Sequence, residues 1–125
     1  MSSNPLDRFH AAIGIGDIAS AKACFCPDAI IWQNFVGEER SVDQAAIGWE
    51  SFLAMARERA VIGVRRQKTS DGFVQQHISP IPGTGGEVQG WDVCLVVEVV
   101  NERIARLEEY LDPASLALVP QGAFS

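Results

Sequence analysis

Hydrophobic residues follow a helical spacing in the first half of the chain. Leu6, Phe9 and Ile13 lie three or four residues apart, after an Asn4-Pro5 pair that suits the start of a helix. An aspartate that can cap a second helix and a serine–glutamine capping box for a third follow later in the chain. The three helices are therefore expected to begin after Asn4, Asp17 and Ser41.

Segments rich in β-branched and aromatic residues predict five strands, mostly in the second half of the chain. The predicted strands cover residues 29–35, 61–68, 73–81, 88–100 and 103–112, with glycine- or proline-containing turns between several of them. Helices early and a strand meander late are typical of an α+β fold with an antiparallel sheet covered by helices on one face. With no repeat or linker in sight, we expect a single domain over residues 1–125.

The last predicted strand carries polar groups on one face and mostly aliphatic groups on the other, because alternate residues share a face. The polar face holds Arg106, Glu108, Tyr110 and Asp112. The second face holds Ala105, Leu107, Glu109 and Leu111. A polar face of this kind is either exposed to solvent at the edge of the sheet or forms the wall of a pocket with a polar floor.

Composition narrows the classes of partner. The net charge of −6 and pI near 4.8 argue against nucleic acid and against an anionic membrane surface. No apolar run approaches the roughly 20 residues of a membrane helix, and no export signal is visible, so we expect a cytoplasmic protein. The three cysteines are interpreted as reduced thiols, because the Cys-x-Cys pair lacks the further ligands of a zinc site.

Two phrases and the element order resemble a known superfamily. The phrases are Ala-Lys-Ala-Cys-Phe-Cys-Pro-Asp-Ala before the first strand and Arg-Ile-Ala-Arg-Leu-Glu-Glu-Tyr-Leu-Asp-Pro at the end of the last strand. Over residues 5–114 the chain resembles the nuclear-transport-factor-2-like superfamily, closest to its SnoaL-like polyketide cyclases and limonene epoxide hydrolases. The resemblance implies a cone-shaped, strongly curved antiparallel sheet, packed by three N-terminal helices around a deep, mostly apolar pocket.

The resemblance also implies catalytic residues. Asp112 matches the acid/base aspartate of both families, and a carboxyl group that lines an apolar pocket suits proton transfer. Asn34 matches an asparagine that helps to hold a water, while Trp32 replaces the tyrosine of that site and becomes a pocket wall, as does Tyr110. The alternatives are a solvated Asp112 before a proline and an Asn34 that only forms a turn.

His77 and Ser79 match the Arg-x-Asp pair of the epoxide hydrolases by strand register. Serine cannot supply a proton near neutral pH, so Ser79 is assigned to substrate binding and epoxide opening by the full mechanism is not expected. A protonated His77 paired with Asp112 would stabilise a developing oxyanion. The alternative is a half-exposed strand histidine, and the roles of His10 and Asp92 stay open.

These residues predict a cofactor-free SnoaL-like enzyme that applies acid/base chemistry to a small, apolar, oxygenated molecule. The reaction type would be that of a cyclase, a hydratase or hydrolase, or an isomerase, with Asp112, His77 and Asn34 as catalytic residues. Ketosteroid isomerisation is less favoured, because Asn34 and Leu95 stand near the positions of its two acidic residues. The alternative is a non-catalytic ligand-binding or scaffold module of the same fold.

The aliphatic face of the last strands predicts an assembly. A valine-rich sheet face left in water would favour burial against a second copy, and two-fold dimers are the commonest solution. We therefore expect a homodimer packed sheet to sheet, with Glu98 and Glu109 near its polar rim or paired with basic residues such as Arg65. The residues assigned to the interface are Val97, Val99, Ala105, Leu107 and Leu111.

Overall fold

The computed structural model describes residues 4–56, 61–80, 90–112 and 114. Three helices and six strands make up this part of the chain, which confirms the α+β class. The helices are α1 (Pro5–Gly14), α2 (Ile18–Ala23) and α3 (Val42–Ala56). The strands are β1 (Phe25–Gln33), β2 (Glu39–Arg40), β3 (Ile62–Lys68), β4 (Gly72–Pro80), β5 (Gly90–Val100) and β6 (Arg103–Tyr110). The predicted strand positions 81, 88 and 89 lie outside the described residues.

The predicted helix starts are confirmed by their capping contacts. The Asn4 side chain accepts hydrogen bonds from two backbone amides of the first turn, and Asp17 accepts one from the Ser20 amide at 3.1 Å. Ser41 and Gln44 form the reciprocal box: the Ser41 amide donates to Gln44 Oε1 at 2.8 Å, and the Gln44 amide donates to Ser41 Oγ at 3.2 Å. Each helix therefore starts where the local sequence satisfies its unpaired amides.

The six strands form one sheet in the order β2-β1-β6-β5-β4-β3. Strand β1 pairs with β6 in parallel, while the other neighbours are antiparallel, so the prediction of a wholly antiparallel sheet is wrong at this pair. The connection from β1 to β6 includes a helix and several strands, which is long enough for both strands to run in the same direction. Strand β2, which the sequence pattern did not predict, pairs with β1 through only two residue pairs.

The face of the sheet assigned to a dimer interface is instead the core of the monomer. Val97, Leu107 and Leu111 are only 1%, 7% and 8% exposed, and they belong to the same hydrophobic cluster as Leu6 and Phe9 of helix α1. The prediction that these three residues form a solvent-exposed patch is therefore wrong, because the helices cover that face. The homodimer itself stays a prediction.

The position of Glu109 follows from the same arrangement. It is half-buried and shares the covered face with the buried Leu107 and Leu111, so its side chain lies on the side of the helices and not at the rim of a sheet-to-sheet interface. Within the described residues, no helix is both long enough and apolar enough to cross a bilayer.

Candidate functional site

A cavity of about 290 Å³ lies between the helices and the covered face of the sheet. Its volume is near the lower end of the roughly 300–1,000 Å³ that is usual for small-molecule sites. Most of its wall is apolar, and two tryptophans, Trp49 and Trp91, contribute to it. Its polar side chains are His10, Gln33, Arg40, His77, Ser79 and Glu109.

Glu109 provides the carboxyl group of the cavity. Gln33 Nε2 donates a hydrogen bond to Glu109 Oε1 at 2.7 Å, and the Arg40 guanidinium in turn donates to Gln33 Oε1. A guanidinium can only donate, so the Gln33 oxygen must face Arg40 and its NH₂ group must face Glu109. Arg40 therefore fixes an amide donor against the carboxyl group.

Burial raises the pKa of Glu109 above its usual range, while the Gln33 hydrogen bond and the Arg40 charge act in the opposite direction. The second carboxyl oxygen, Oε2, has no protein partner among the described residues. No buried side-chain oxygen or nitrogen in that part of the chain lacks a partner, so Oε2 must be accessible from the cavity. Glu109 can therefore exchange a proton with a molecule bound there.

A second chain of hydrogen bonds ends at His77 on strand β4. Gln75 and His77 are 0% and 5% exposed, and Gln75 Nε2 lies 3.0 Å from His77 Nδ1. Arg66 Nε donates to Gln75 Oε1 at 2.9 Å. The ring of His10, from helix α1, meets the His77 ring edge to face with 5.4 Å between centroids.

Both histidines are neutral near pH 7. Burial lowers the pKa of His77 to about 4. Burial also lowers the pKa of His10 to about 4, and the adjacent His77 adds a further repulsion. The sequence pattern led us to expect an imidazolium at His77, whereas the structure favours a neutral ring that acts through hydrogen bonding.

Glu109 and His77 face the cavity from different strands. The pairing registers place Gln75 opposite Leu95 and Leu95 opposite Glu109, so the strands that carry the two groups are separated by strand β5. Two strand spacings correspond to about 10 Å. His77 lies two residues beyond Gln75 on the same face of β4, so its backbone is further still from that of Glu109. A bound small molecule, and not a direct hydrogen bond, is suited to connect these two groups.

Asp112 lies elsewhere. Its side chain is exposed, and its Oδ1 accepts a hydrogen bond from the Ala114 amide at 3.0 Å. Together with Asp92 and Tyr110 it lines a groove on the outer face of the sheet, which His77 also borders although its ring packs against His10 of helix α1 on the covered face. The structure therefore does not bring Asp112 into the cavity that the His77 ring lines, and its predicted acid/base role stays a prediction.

Asn34 connects the ends of two strands. Its Nδ2 donates to the Leu111 carbonyl at 2.8 Å, and its Oδ1 accepts from the Leu111 amide at 3.1 Å. Its own backbone amide donates to the carbonyl of Glu109 at 3.0 Å. The side-chain amide thus continues the β1–β6 pairing and holds the strand end that carries Glu109, and Asn34 is not among the residues that line the cavity.

The remaining predicted residues divide between the two faces of the sheet. Ser79 lines the cavity beside His77, as the strand register predicts. The rings of Trp32 and Tyr110 are in contact, with centroids 5.2 Å apart, but they lie on the outer face. They are therefore walls of the outer surface and not of the cavity.

The sequence reasoning missed the functional candidate Glu109. The available signal was a single carboxylate between two leucines on an otherwise aliphatic strand face, since Leu107, Glu109 and Leu111 alternate in that order. A charged group on a face that helices cover must be paired or functional. Gln33 and Gln75 carry a weaker signal of the same kind.

Comparisons with known proteins give structural similarity only. No family model matches the chain, and no curated protein matches it either. An NTF2-like protein of unknown function from Burkholderia pseudomallei is 17% identical, with a TM-score of 0.74 over 96% of this chain and 99% of that one. An LEH-like epoxide hydrolase from M. tuberculosis is 19% identical, with a TM-score of 0.65 over 86% of this chain and 80% of that one.

A candidate polyketide cyclase from Pseudomonas putida is 18% identical, with a TM-score of 0.62 over 90% of this chain and 92% of that one. At such identities the similarities establish the fold. The chain has the nuclear-transport-factor-2-like fold, as its sequence resemblance indicates.

Proposed function

We propose that the chain is a small-molecule enzyme that uses acid/base chemistry in the cavity, without a cofactor, on an apolar oxygenated substrate. The observation that carries this proposal is the presence of Glu109 and His77 in one mostly apolar cavity. One is a carboxyl group with a raised pKa, and the other is a neutral imidazole. Such a pair is suited to move a proton while it polarises a substrate oxygen.

In the proposed reaction, Glu109 Oε2 removes a proton from the carbon next to a carbonyl group. The electron pair moves into the carbonyl, and His77 donates a hydrogen bond to the oxygen that becomes an enolate. Glu109 then returns the proton to the same or a neighbouring carbon, or the enolate attacks an electrophilic carbon of the same molecule and closes a ring. The protein is unchanged after either outcome.

The fold neighbours support this class of reaction without defining it. One is named as an epoxide hydrolase and another as a candidate polyketide cyclase, and both names describe enzymes acting on small oxygenated molecules. The cavity of this chain differs from the site expected from the sequence, because Glu109 takes the place proposed for Asp112 as acid and base.

Proton exchange offers a test that needs no known substrate. A panel of cyclic ketones and lactones would be incubated in D₂O, and loss of the α-proton signal would be followed by NMR. We expect the wild-type protein to accelerate exchange for at least one compound, and Glu109→Gln to lose roughly 10²–10⁴-fold of that rate. Absence of exchange across the panel, or full exchange in Glu109→Gln, would contradict the proposal.

A non-catalytic ligand-binding module is the second candidate. The exposed position of Asp112 favours it, because the acid/base aspartate implied by the sequence resemblance is not in the cavity. In that case members of the same panel would shift the NMR signals of Trp49 or Trp91 on binding, while their α-protons would exchange no faster than in buffer. The two readouts from one sample separate the candidates.

A further inference from the structure

Gln75 lies in the interior of the molecule between a cation and a histidine. It is fully buried, with Arg66 on one side of its amide group and His77 on the other. Neither neighbour is free to rearrange easily. Arg66 is also held by the Asp7 carboxylate at 2.6 Å and lies over the ring of Phe73, 4.8 Å from its centroid.

The chemistry of Arg66 determines which way the Gln75 amide faces. A guanidinium has donors and no acceptor, so the amide atom in contact with it must be the oxygen. The NH₂ group of Gln75 consequently faces His77 Nδ1, at 3.0 Å. Because that group can only donate, Nδ1 must be the unprotonated, accepting nitrogen of the ring.

The other ring nitrogen then carries the proton. A neutral imidazole has one N–H group, so an accepting Nδ1 leaves the hydrogen on Nε2. Nε2 has no protein partner in the described part of the chain, and no buried side-chain nitrogen there lacks a partner. The His77 side chain is on the covered face of the sheet, so Nε2–H must be accessible from the cavity.

We propose that Gln75, oriented by Arg66, is a positioning residue that selects the Nε2–H tautomer of His77 and so makes this end of the cavity a hydrogen-bond donor. The ligand group that fits there is an uncharged acceptor such as a carbonyl, ether or lactone oxygen. A ligand with only a donor at that position would meet a second donor and be rejected. The catalytic consequence of this arrangement rests on the proposed function, whereas the tautomer is independent of it.

The tautomer can be measured directly by two-bond ¹⁵N–¹H NMR of the histidine side chains at pH 7. The chain has only two histidines, so a His10→Asn variant assigns the signals of His77. We expect His77 to show an acceptor-type Nδ1 and a protonated Nε2. A wild-type spectrum with the proton on Nδ1, or with an equal mixture, would overturn the proposal.

Two variants test whether Gln75 is the cause. Gln75→Glu keeps the shape and the contact with Arg66, but its carboxylate can only accept, so the proton of His77 should move to Nδ1. Gln75→Leu removes the donor without adding an acceptor, and should give a mixture of tautomers. An unchanged tautomer in both variants would show that Gln75 only fills space.

If Gln75→Glu does not fold, Arg66→Met tests the same arrangement by removing the group that orients the Gln75 amide. It frees the Gln75 amide to turn over, so a mixed tautomer is expected and an unchanged one contradicts the role of Arg66. None of these spectra requires a substrate. Failure of the proton-exchange assay would therefore leave this inference standing, and the reverse also holds.

Discussion

Acid should destabilise this protein through its two histidines. Both lie in the cavity wall, and burial lowers each pKa from 6.5 to about 4. In the unfolded chain a histidine binds a proton near its ordinary pKa, whereas in the folded chain it does not do so until about pH 4. The stabilising contribution of the neutral form is therefore complete above pH 6.5 and is lost progressively as the pH falls towards 4.

The size of the effect follows from the shift. A difference of about 2.5 pKa units at about 1.4 kcal/mol per unit gives an upper value of about 3.5 kcal/mol for His77. Within the window, each histidine should lower the free energy of unfolding by about 1.4 kcal/mol per pH unit. Between pH 6 and 4.5 the contribution of one histidine is thus about 2 kcal/mol.

The assay is urea unfolding of the wild-type protein and of His77→Asn at several pH values between 4.5 and 7.5. Asparagine is a suitable control because its oxygen can accept the Gln75 hydrogen bond and it does not titrate. Asp7 and Arg66, the charged groups that act on His10, are present in both proteins, whereas the repulsion between the two histidines is lost in His77→Asn and adds to the difference. We expect the wild-type protein to lose about 2 kcal/mol more free energy of unfolding than His77→Asn between pH 6 and 4.5. Curves that stay parallel from pH 7 to 4.5 would refute the reasoning.

Three further measurements, two on variants and one on the wild-type protein, have defined outcomes. Asn34→Ala should lower the free energy of unfolding by about 2–4 kcal/mol in urea titrations, because it removes the hydrogen-bond partners of both backbone groups of Leu111. A change below about 0.5 kcal/mol would show that water replaces these partners. Gly72→Ala should lower the melting temperature, because the added Cβ would lie 2.0 Å from the backbone oxygen of Val97. Gly48→Ala is the control, because its added Cβ would meet no atom within 4 Å and should not lower the melting temperature. Light scattering at micromolar concentration tests the predicted homodimer, which a clean monomer mass would contradict.

Local signals predicted the elements well, because their causes are local. The caps at Asn4, Asp17 and Ser41 are contacts within a few residues, and each starts a helix in the structure. The parallel pairing of β1 with β6 was not predictable in this way. It joins residues such as Ile31 and Leu107, which are far apart in the sequence, and no residue pattern within either strand indicates which strand it pairs with.

The candidate site was predicted in part, and the errors come from the choice of which face of β6 lines the cavity. Alternation correctly separated the two faces of β6 from Arg106 onwards, whereas a bulge before it brings Ile104 into the core together with Leu107. Alternation also does not say which face the helices cover. Asp112 was selected because it matches the acid/base aspartate of the resembled families, which put the polar face with Tyr110 at the pocket and left Glu109 out. His77 and Ser79 were selected by their strand-register match to the Arg-x-Asp pair of the epoxide hydrolases, and both line the cavity.

In the proposed reaction Glu109, and not Asp112, is the group that moves protons. The most direct measurement compares the α-proton exchange rates of Glu109→Gln and Asp112→Asn on the same ketone, since both variants replace a carboxyl group by the amide of equal size. The account predicts a rate lower by roughly 10²–10⁴-fold in Glu109→Gln and a wild-type rate in Asp112→Asn. The opposite pattern, with exchange lost in Asp112→Asn and retained in Glu109→Gln, would contradict it.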